Sequence, residues 1–455
     1  MLGDRTMFDL ILGKSKQYCD HVTRRQSLTM GSSTILGGLS LPAILQLQSL
    51  AAENRAASAK SCIFIMLEGG PSHIDMWDLK PQATKEIRGL FQPISTIVPG
   101  TQISEILPLC AQITDKMAIM RSHSHRDNGH QTGRHRVLTG YPPSFGDGQA
   151  PGMPFNALYP SIGSVISREL GIQGAVPPYI EMPNPLGPGG PGFYGPTYAP
   201  FTIETDPVEP DFSVRDLSVA NGIDDRRFTL RRKLLQGAER LSPNRQTSKR
   251  AKTMSTYYKK ALELATSDTA KKAFHIQSEP DEVRQRYGLH SLGQCALLSR
   301  RLVEAGCRFV GIEHGSWDTH VDNFTGHAKA LVPPADQALS ALITDLDQKG
   351  LLDETLIVMM GEMGRTPRIN NDAGRDHWSQ CQSVIFAGGG TQPGIVIGSS
   401  DKNASYPTSD PYSIQDLLRT IYHLLGIDAD KIHHTPLGRP VPIVNGGKII
   451  TELLV

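Results

Sequence analysis

The sequence predicts an α/β protein with a largely parallel sheet and helices on both faces. Strands are predicted at 62–67, 116–121, 308–313, 355–360 and 384–387, and the largely apolar runs at 62–67, 355–360 and 384–387 are typical of strands buried on both sides. Segments with helical character stand between or beyond these runs, at 157–170, 225–305, 335–349 and 413–425. Strands that alternate with helices favour a parallel sheet covered on both faces.

Each predicted element has local support. The segment 335–349 places four apolar residues on one helical face and is followed by Gly350, a typical terminator. Ser413 is a typical N-cap residue for the last helix. The segment 177–200 is rich in Gly and Pro and is predicted to be irregular.

The N-terminal segment is typical of a twin-arginine (Tat) export signal. Arg24 and Arg25 precede a weakly apolar run without acidic residues that ends near Leu50, and a small-residue cleavage site ends at Ala51. We therefore expect a signal peptide over 1–51, recognition by the Tat export machinery and a periplasmic or secreted protein. No membrane span is expected after cleavage. The alternative is an amphipathic N-terminal helix with a chance arginine pair.

The composition bounds the function. The chain has 455 residues with 46 basic and 45 acidic side chains, so no broad basic face is implied and nucleic acid is not expected as a partner. None of the six cysteines forms a C-x-x-C pair, which argues against a thiolate zinc site. The residues 52–455 are predicted to form one α/β domain with a helical and Gly/Pro-rich insertion around 177–305.

Histidines and acidic residues collect where the predicted strands end. Because parallel sheets bind ligands beyond the carboxyl ends of their strands, these clusters are expected to meet. The clusters contain Glu68, His73 and Asp75 after the first strand; His123, His125, His130, Arg134 and His135 after the second; Asp318 and His320 after the third; and Glu362, Arg365, Asp376 and His377 after the fourth.

The composition of the clusters predicts a metal site. Imidazoles and carboxylates without thiolates suit Zn, Mn, Mg or Ca, and two neighbouring ions would stabilise an in-line displacement. A single loop histidine such as His123 or His135 is more often solvated or hydrogen-bonded. Four clusters at successive strand ends nevertheless favour bound divalent cations, one or two in number.

Several motifs resemble a known group of proteins. The segment 137–140, Val-Leu-Thr-Gly, is similar to the L-x-T-G segment of sulfatases and nucleotide pyrophosphatases, and Arg134 precedes it. The fuller set comprises Gly-Gly-Pro-Ser-His-Ile-Asp at 69–75, Ser-Trp-Asp-Thr-His at 316–320, Gly-Glu-Met-Gly-Arg at 361–365 and Gly-Arg-Asp-His-Trp at 374–378. This set resembles a family of exported Tat-leader proteins of unknown function in the alkaline phosphatase–sulfatase superfamily, frequent in planctomycetes.

The resemblance implies an alkaline-phosphatase-like fold and a set of metal ligands. An acidic residue after the first strand binds metal in the superfamily, a role that Glu68 or Asp75, beside His73, would fill. Asp318 with His320 or Asp322 would match the later Asp and its partner. Glu362 matches the acidic residue after the next strand, although Met363 replaces the usual His, and Asp376-His377 matches the final block.

The departure from the family pattern is at the nucleophile. Counting back from Thr139 as in sulfatases places Arg134 on the expected arginine and His130 where a Cys, Ser or Thr is expected. His130 is then a covalent nucleophile, a metal ligand with a metal-bound hydroxide attacking, or the mark of a site without catalysis. Arg134 and Arg365 are predicted to clamp anionic oxygens.

The resulting prediction is an exported, metal-dependent hydrolase of a sulfate or phosphate ester. The anionic substrate would be a sulfated polysaccharide or a phosphoester. The alternative is a metal-binding or scaffold protein that keeps the fold without turnover, a reading that the histidine at position 130 favours. An oxidoreductase is disfavoured because the sequence has no haem motif, no cysteine cluster and no G-x-G-x-x-G.

Overall fold

The computed structural model describes residues 57–143, 158–214, 267–409 and 411–455, with isolated positions between 227 and 266. The predicted signal peptide over 1–51 lies outside the described residues, as does most of 215–266. Among the described helices, none combines the length and the apolar character needed to cross a bilayer.

A central sheet of eight strands organises the described residues. The strands, in chain order, are β1 (Ser61–Leu67), β2 (Pro93–Ser95), β3 (Gln102–Ser104), β4 (Met117–His123), β5 (Tyr179–Met182), β6 (Phe201–Thr202), β7 (Phe309–His314), β8 (Thr355–Met360), β9 (Gly364–Arg365), β10 (His377–Trp378), β11 (Gln382–Ala387), β12 (Ile395–Ile397), β13 (Ile432–His434) and β14 (Pro440–Pro442). The central sheet has the order β12-β4-β11-β8-β1-β7-β5-β6, and the remaining strands form three short pairs.

The central sheet is parallel except at one strand. The strand β1 pairs in parallel with β7 and β8, whereas β11 runs antiparallel to β4 and β8. The carboxyl ends of β1, β4, β7 and β8 therefore lie at the same edge of the sheet, and the segment leading into β11 arrives at that edge too. This arrangement positions the predicted clusters together.

Helices cover both faces of the sheet, because successive strand residues point to opposite sides. In β1, Ile63 and Ile65 belong to one apolar core and Phe64 and Met66 to the other. The α-helices among the described residues are His73–Met76, Lys85–Arg88, Pro108–Ala111, His130–Thr139, Ile162–Leu170, Asp268–Phe274, Asp281–Tyr287, Ser291–Glu304, Asn323–Gly326, Val332–Gln348 and Ile414–Leu424, with a π-helical turn at His327–Leu331. The predicted fold class, α/β with a largely parallel sheet and helices on both faces, is confirmed.

The fully buried strands agree best with the sequence. All five predicted strands are present, and the helix predicted for 335–349 is found as Val332–Gln348. The prediction of irregular structure for 177–200 is wrong at β5, which extends the parallel sheet beside β7. This strand has only four residues and lies between prolines, so its apolar run is too short to stand out.

Candidate metal centre

The loops that follow β1 and β7 pack closely enough to require glycine. Gly69 has a φ of +114°, and a Cβ atom there would lie 2.4 Å from the amide nitrogen of Asp318. Any other residue would press against backbone, which cannot move aside as a flexible side chain can. The Gly69 N–H also donates to the Glu362 carboxylate at 3.0 Å. The ends of β1, β7 and β8 are thus joined at one edge of the sheet.

His130 lies between two carboxylates. It is the first residue of the His130–Thr139 helix, directly after the N-cap Gly129. Its Nδ1 is 2.7 Å from Glu362 Oε1, and its Nε2 is 3.1 Å from Asp318 Oδ2. The hydrogen bond to Glu362 raises the pKa of His130, helped by the two negative charges and opposed by burial. Both ring nitrogens are therefore directed at acceptors.

Asp318, His320 and His377 converge on one point. The Nε2 atoms of the two histidines are 3.0 Å apart, and each lies 3.1 Å from Asp318 Oδ1. Partial burial would raise the pKa of Asp318, but the hydrogen bond and charge of Arg365 lower it to about 2. Asp318 is consequently an ionised carboxylate at neutral pH.

Hydrogen bonds at the Nδ1 atoms of His320 and His377 fix the orientation of both rings. Asp376 Oδ1 accepts a hydrogen bond from His320 Nδ1 at 2.7 Å, and the Asn370 amide donates to the same carboxylate oxygen at 3.2 Å. His377 Nδ1 donates to the Asn128 carbonyl at 2.8 Å. Since one ring nitrogen of each histidine is engaged in this way, both Nε2 atoms remain available to a ligand.

Arg365 is a buried support for Asp318. Its side chain has no exposed surface, and its Nη2 donates to Asp318 Oδ1 at 2.6 Å. Its remaining hydrogen bonds go to the carbonyl oxygens of Gly69, Gly70, Trp317 and Arg375. With its donors occupied by the protein, Arg365 orients Asp318 and has little left for the anion clamp that the sequence predicted.

Glu68 and Arg134 form the remaining side of the cluster. Arg134 is largely buried, and its Nη2 lies 3.4 Å from Glu68 Oε1. Burial raises the pKa of Glu68; the Arg134 charge opposes this rise, while the neighbouring Glu362 and Glu313 reinforce it. Arg134 therefore supplies a positive charge beside the carboxylates, in contact with one of them.

The structure does not bring His73 and Asp75 into this cluster. Asp75 is completely buried and accepts from Arg375 through both carboxylate oxygens, at 2.7 and 3.0 Å. Its remaining partners are Ser72 and Asn323. His73 Nε2 instead meets the Ala404 carbonyl at 2.9 Å. The predicted ligand role of His73 and Asp75 is without geometric support.

Three further predicted histidines lie behind the cluster and are buried. Burial lowers the pKa of His123 to about 3 and that of His125 and His135 to about 4. His125 donates through Nε2 to the Glu362 carbonyl at 2.7 Å and accepts from the Asp127 N–H. His125 thus holds the backbone of Glu362. His123 and His135 are fully buried, so the expectation that each is a solvated loop histidine is wrong.

The gathered donors fit a divalent cation. Ligand atoms about 2 Å from a tetrahedral zinc ion lie about 3.3 Å from one another, and the atoms of Asp318, His320 and His377 are 3.0 to 3.1 Å apart. Imidazoles and carboxylates without thiolates also suit Mn or Mg. Two sets of ligand atoms lie within 4.8 Å of one another, namely His130, Asp318 and His377, and Glu68, His130 and Glu362.

Most, but not all, of the predicted residues meet here. The structure gathers Glu68, His130, Arg134, Asp318, His320, Glu362, Arg365, Asp376 and His377. Asp376, predicted as a ligand, is hydrogen-bonded to the far side of the His320 ring. Asn370 was not predicted, because its only signal in the sequence is its place in a turn-forming Asn-Asn-Asp-Ala-Gly run at 370–374.

Fold and site together define a class: an α/β protein with an imidazole–carboxylate cluster, suited to divalent cations, at the carboxyl edge of its sheet. The chain belongs to the family described as a protein of unknown function (DUF1501), whose model matches residues 59–454. No curated protein sequence matches the chain significantly.

The chain is similar to several solved structures, all of them distant in sequence. A phosphonate monoester hydrolase from Silicibacter pomeroyi is 12% identical, with 81% of this chain and 73% of that chain covered and a TM-score of 0.37. A sulfatase from Pseudoalteromonas sp. is 14% identical, with 84% and 70% covered and a TM-score of 0.34. The lipoteichoic acid synthase LtaP from Listeria monocytogenes is 11% identical, with 83% and 77% covered and a TM-score of 0.35.

Proposed function

We propose that the chain is a metal-dependent hydrolase of a sulfate or phosphate ester and that Glu68, His130, Asp318, His320, Glu362 and His377 hold its divalent cations. The observation that carries the proposal is the convergence of Asp318, His320 and His377, whose ligand atoms are 3.0 to 3.1 Å apart although His377 lies 57 positions after His320 in the chain. The resemblance of the surrounding motifs to the alkaline phosphatase–sulfatase superfamily gives the reaction class.

The protein groups around the cluster suit an anionic substrate. A bound divalent cation would supply positive charge for the negative charge that develops on the ester oxygens. Arg134 adds a guanidinium at the same place, which can bind two oxygens of a sulfate or phosphate group side by side. Arg365 keeps Asp318 ionised and oriented, and Asp376 fixes the ring of His320.

A second candidate function is favoured by His130. The position that carries a Cys, Ser or Thr nucleophile in the resembled enzymes is occupied by an imidazole whose two nitrogens both meet carboxylates. A chain that binds cations here without turning over an ester would act as a metal-binding or scaffold protein. We rank hydrolysis first because Arg134 places an anion-binding group beside the metal ligands.

The test combines elemental analysis with ester hydrolysis. The mature chain is purified without added chelator, its metal content is measured, and release from an aryl sulfate, an aryl phosphate and a diaryl phosphate is followed. We expect bound divalent metal and turnover of at least one ester. His320→Ala should lower the metal content and abolish turnover. The matched control is His434→Ala, an exposed histidine outside the cluster, which is expected to leave both unchanged.

Three results would count against the hydrolase. A purified chain that takes up no divalent cation, or a His320→Ala variant that binds metal as well as the wild type, would remove the metal centre. Full metal occupancy without turnover of any ester would favour the metal-binding or scaffold protein over the hydrolase.

We further propose that residues 1–51 direct export through the Tat pathway, to the periplasm or beyond the cell. The support is the Arg24-Arg25 pair ahead of a weakly apolar, acid-free run. The chain is expressed with Arg24→Lys and Arg25→Lys and its distribution between cytoplasmic and exported fractions is compared with the wild type. We expect the variant to stay in the cytoplasm; equal export of both would contradict the proposal.

A further inference from the structure

His130 differs from the other histidines of the cluster in that it belongs to both sets of ligand atoms and points one ring nitrogen at a carboxylate of each set. Its Nδ1 is 2.7 Å from Glu362 Oε1 and its Nε2 is 3.1 Å from Asp318 Oδ2. His320 and His377 each direct one nitrogen at a group outside both sets of ligand atoms, namely Asp376 and the Asn128 carbonyl. The His130 ring therefore stands between two groups of ligands rather than at the edge of one.

A separate set of ligand atoms belongs to each side of the ring. On the Nδ1 side, Glu68 and Glu362 combine with His130 within 4.8 Å. On the Nε2 side, Asp318 and His377 do the same. The second side continues to His320, whose Nε2 is 3.0 Å from that of His377.

We propose that His130 bridges two divalent cations through its two ring nitrogens, one cation held with Glu68 and Glu362 and the other with Asp318, His320 and His377. The inference rests on the metal centre of the proposed function, but it does not depend on hydrolysis. It assigns to His130 a role that neither a covalent nucleophile nor a ligand of a single ion would have.

The charge of the cluster supports two cations. Glu68, Glu362, Asp318 and Asp376 bring four carboxylates, whereas Arg134 and Arg365 bring two guanidinium groups in contact with them. Four negative and two positive side chains leave an excess of negative charge in a partly buried place, which is costly unless cations or protons compensate it. To bridge two ions, the His130 ring must release its remaining N–H proton to solvent and become an imidazolate. Two divalent ions would compensate both the excess of carboxylates and this added negative charge.

The geometry of an imidazole ring sets the spacing of the two ions. Nδ1 and Nε2 point in diverging directions, so they cannot bind the same ion. Metal–nitrogen bonds of about 2 Å on both sides of the ring place the ions about 6 Å apart. Hydrolases with two ions that clamp the attacking and leaving oxygens hold them about 3.5–4 Å apart. The bridged centre is therefore wider, and each ion can bind a different part of the substrate.

Copper(II) is a direct probe of this bridge, because it binds imidazole and carboxylate sites tightly and is paramagnetic. The full mature chain is freed of metal with a chelator, titrated with copper(II), and followed by equilibrium dialysis and electron paramagnetic resonance. We expect two ions per chain. The integrated resonance signal should rise as the first ion binds. It should then fall well below the value expected for the total bound copper, because the second ion completes a spin-coupled pair.

Variants on each side of the ring assign the bridge. Glu68→Gln should lower the affinity for the ion held with Glu362 by about tenfold or more. His320→Ala should lower the affinity for the other ion by a similar factor. His130→Ala should weaken both ions and abolish the coupling, so that the signal equals the bound copper. His434→Ala, at an exposed histidine, controls for copper on surface imidazoles and should retain the coupled pair. Unfolding curves in chelator show whether each variant is folded, and His130→Gln replaces His130→Ala if the latter is not.

Three results would overturn the bridge: a single copper at saturation, two coppers whose signals simply add in the wild type, or a His130→Ala variant that keeps one ion at wild-type affinity. The ester assays are independent of these measurements. A coupled pair in a chain that hydrolyses no ester would preserve the bridge and remove the hydrolase, and turnover with a single uncoupled ion would do the reverse.

Discussion

Asp75 and Asp318 each form an ion pair with an arginine whose side chain is completely buried, Arg375 and Arg365 respectively. Beyond the arginine, the two aspartates differ. Asp75 has no exposed side-chain surface, and its other partners are neutral, the Ser72 hydroxyl and the Asn323 amide. Asp318 keeps 42% of its side chain exposed, and its other partners are the imidazoles of His130, His320 and His377.

The difference separates a structural ion pair from a candidate ligand. A cation could reach Asp75 only by breaking hydrogen bonds that already satisfy both of its oxygens in the interior, and a buried charge that loses its partners is costly. Asp318 instead shares its oxygens with three imidazoles that a cation could join to it. Both residues are aspartates. Their roles differ because the oxygens of Asp75 are already fully hydrogen-bonded in the interior, whereas a cation can reach Asp318 from solvent.

The largest expected effect is on stability, at the buried ion pair of Asp75 and Arg375. Arg375→Met removes the only cationic partner seen for Asp75 among the described residues and leaves a carboxylate in the interior, so we expect a loss of about 3–5 kcal/mol in the free energy of unfolding. Burial alone would raise the pKa of Asp75, and the Arg375 charge is what holds it below its usual value. Denaturant unfolding in the presence of chelator measures the change without a contribution from metal.

Arg419 provides the matched control. It meets Asp430 through two hydrogen bonds of 2.8 and 2.7 Å, the same two-pronged geometry, but Asp430 is 74% exposed. Arg419→Met should therefore cost less than about 1 kcal/mol. Equal losses in the two variants would show that burial does not distinguish these pairs.

Glu181 extends the comparison, because it is a buried carboxylate that has no cationic partner in the part of the chain that the structure describes. It accepts from the Tyr179 hydroxyl and the Leu186 amide. Burial raises its pKa from 4.5 to about 7, in spite of these hydrogen bonds. A raised folded-state pKa gives stability that is fully present below the unfolded value and is lost as the pH rises through about 7.

Glu181→Gln should remove that pH dependence. Between pH 5 and pH 8, we expect the variant to gain on the order of 2–3 kcal/mol in unfolding free energy relative to the wild type. Unfolding curves at a series of pH values check this, and their repetition at high salt screens the surface carboxylates but not a buried one. Parallel pH profiles for both proteins would mean that Glu181 takes no part in the dependence.

The fold was predictable where burial leaves a mark on the sequence. The runs that became β1 and β8 are apolar without interruption, since both faces of each strand are covered. The antiparallel direction of β11 and the short edge strand β5 were not predictable, because strand direction and edge pairing depend on partners distant in the chain. Local patterns describe an element and say little about its neighbours.

The site was predictable for the same reason and to the same extent. Strand ends identified His130, Asp318, Glu362 and His377, because the carboxyl ends of parallel strands share one edge. The sequence could not tell Asp75 from Asp318, since both are acidic residues in loops after buried strands. The distinction comes from Arg375, 300 positions away from Asp75 in the chain.

The smallest expected effect is at Asn370, which tests the orientation of the imidazoles around the exposed Asp318. Its amide donates to Asp376 at 3.2 Å and to the His320 carbonyl at 2.9 Å, and its own oxygen accepts the Asp372 and Gly374 N–H groups. Asn370→Ala should free Asp376 and, through it, the ring of His320. Because partners behind a ligand typically change metal affinity by 10–100-fold, we expect a loss of about tenfold.

The neighbouring Asn371 is exposed and supplies the control on the same loop. Zinc affinity is measured by competition with a chromophoric chelator for wild type, Asn370→Ala and Asn371→Ala, with metal-free unfolding curves beside it. A positioning role predicts that only Asn370→Ala weakens zinc while its unfolding curve moves little. If instead both affinity and stability fall together, Asn370 acts on the loop as a whole, and Asp318 would be left with a less defined set of imidazoles than its contacts indicate.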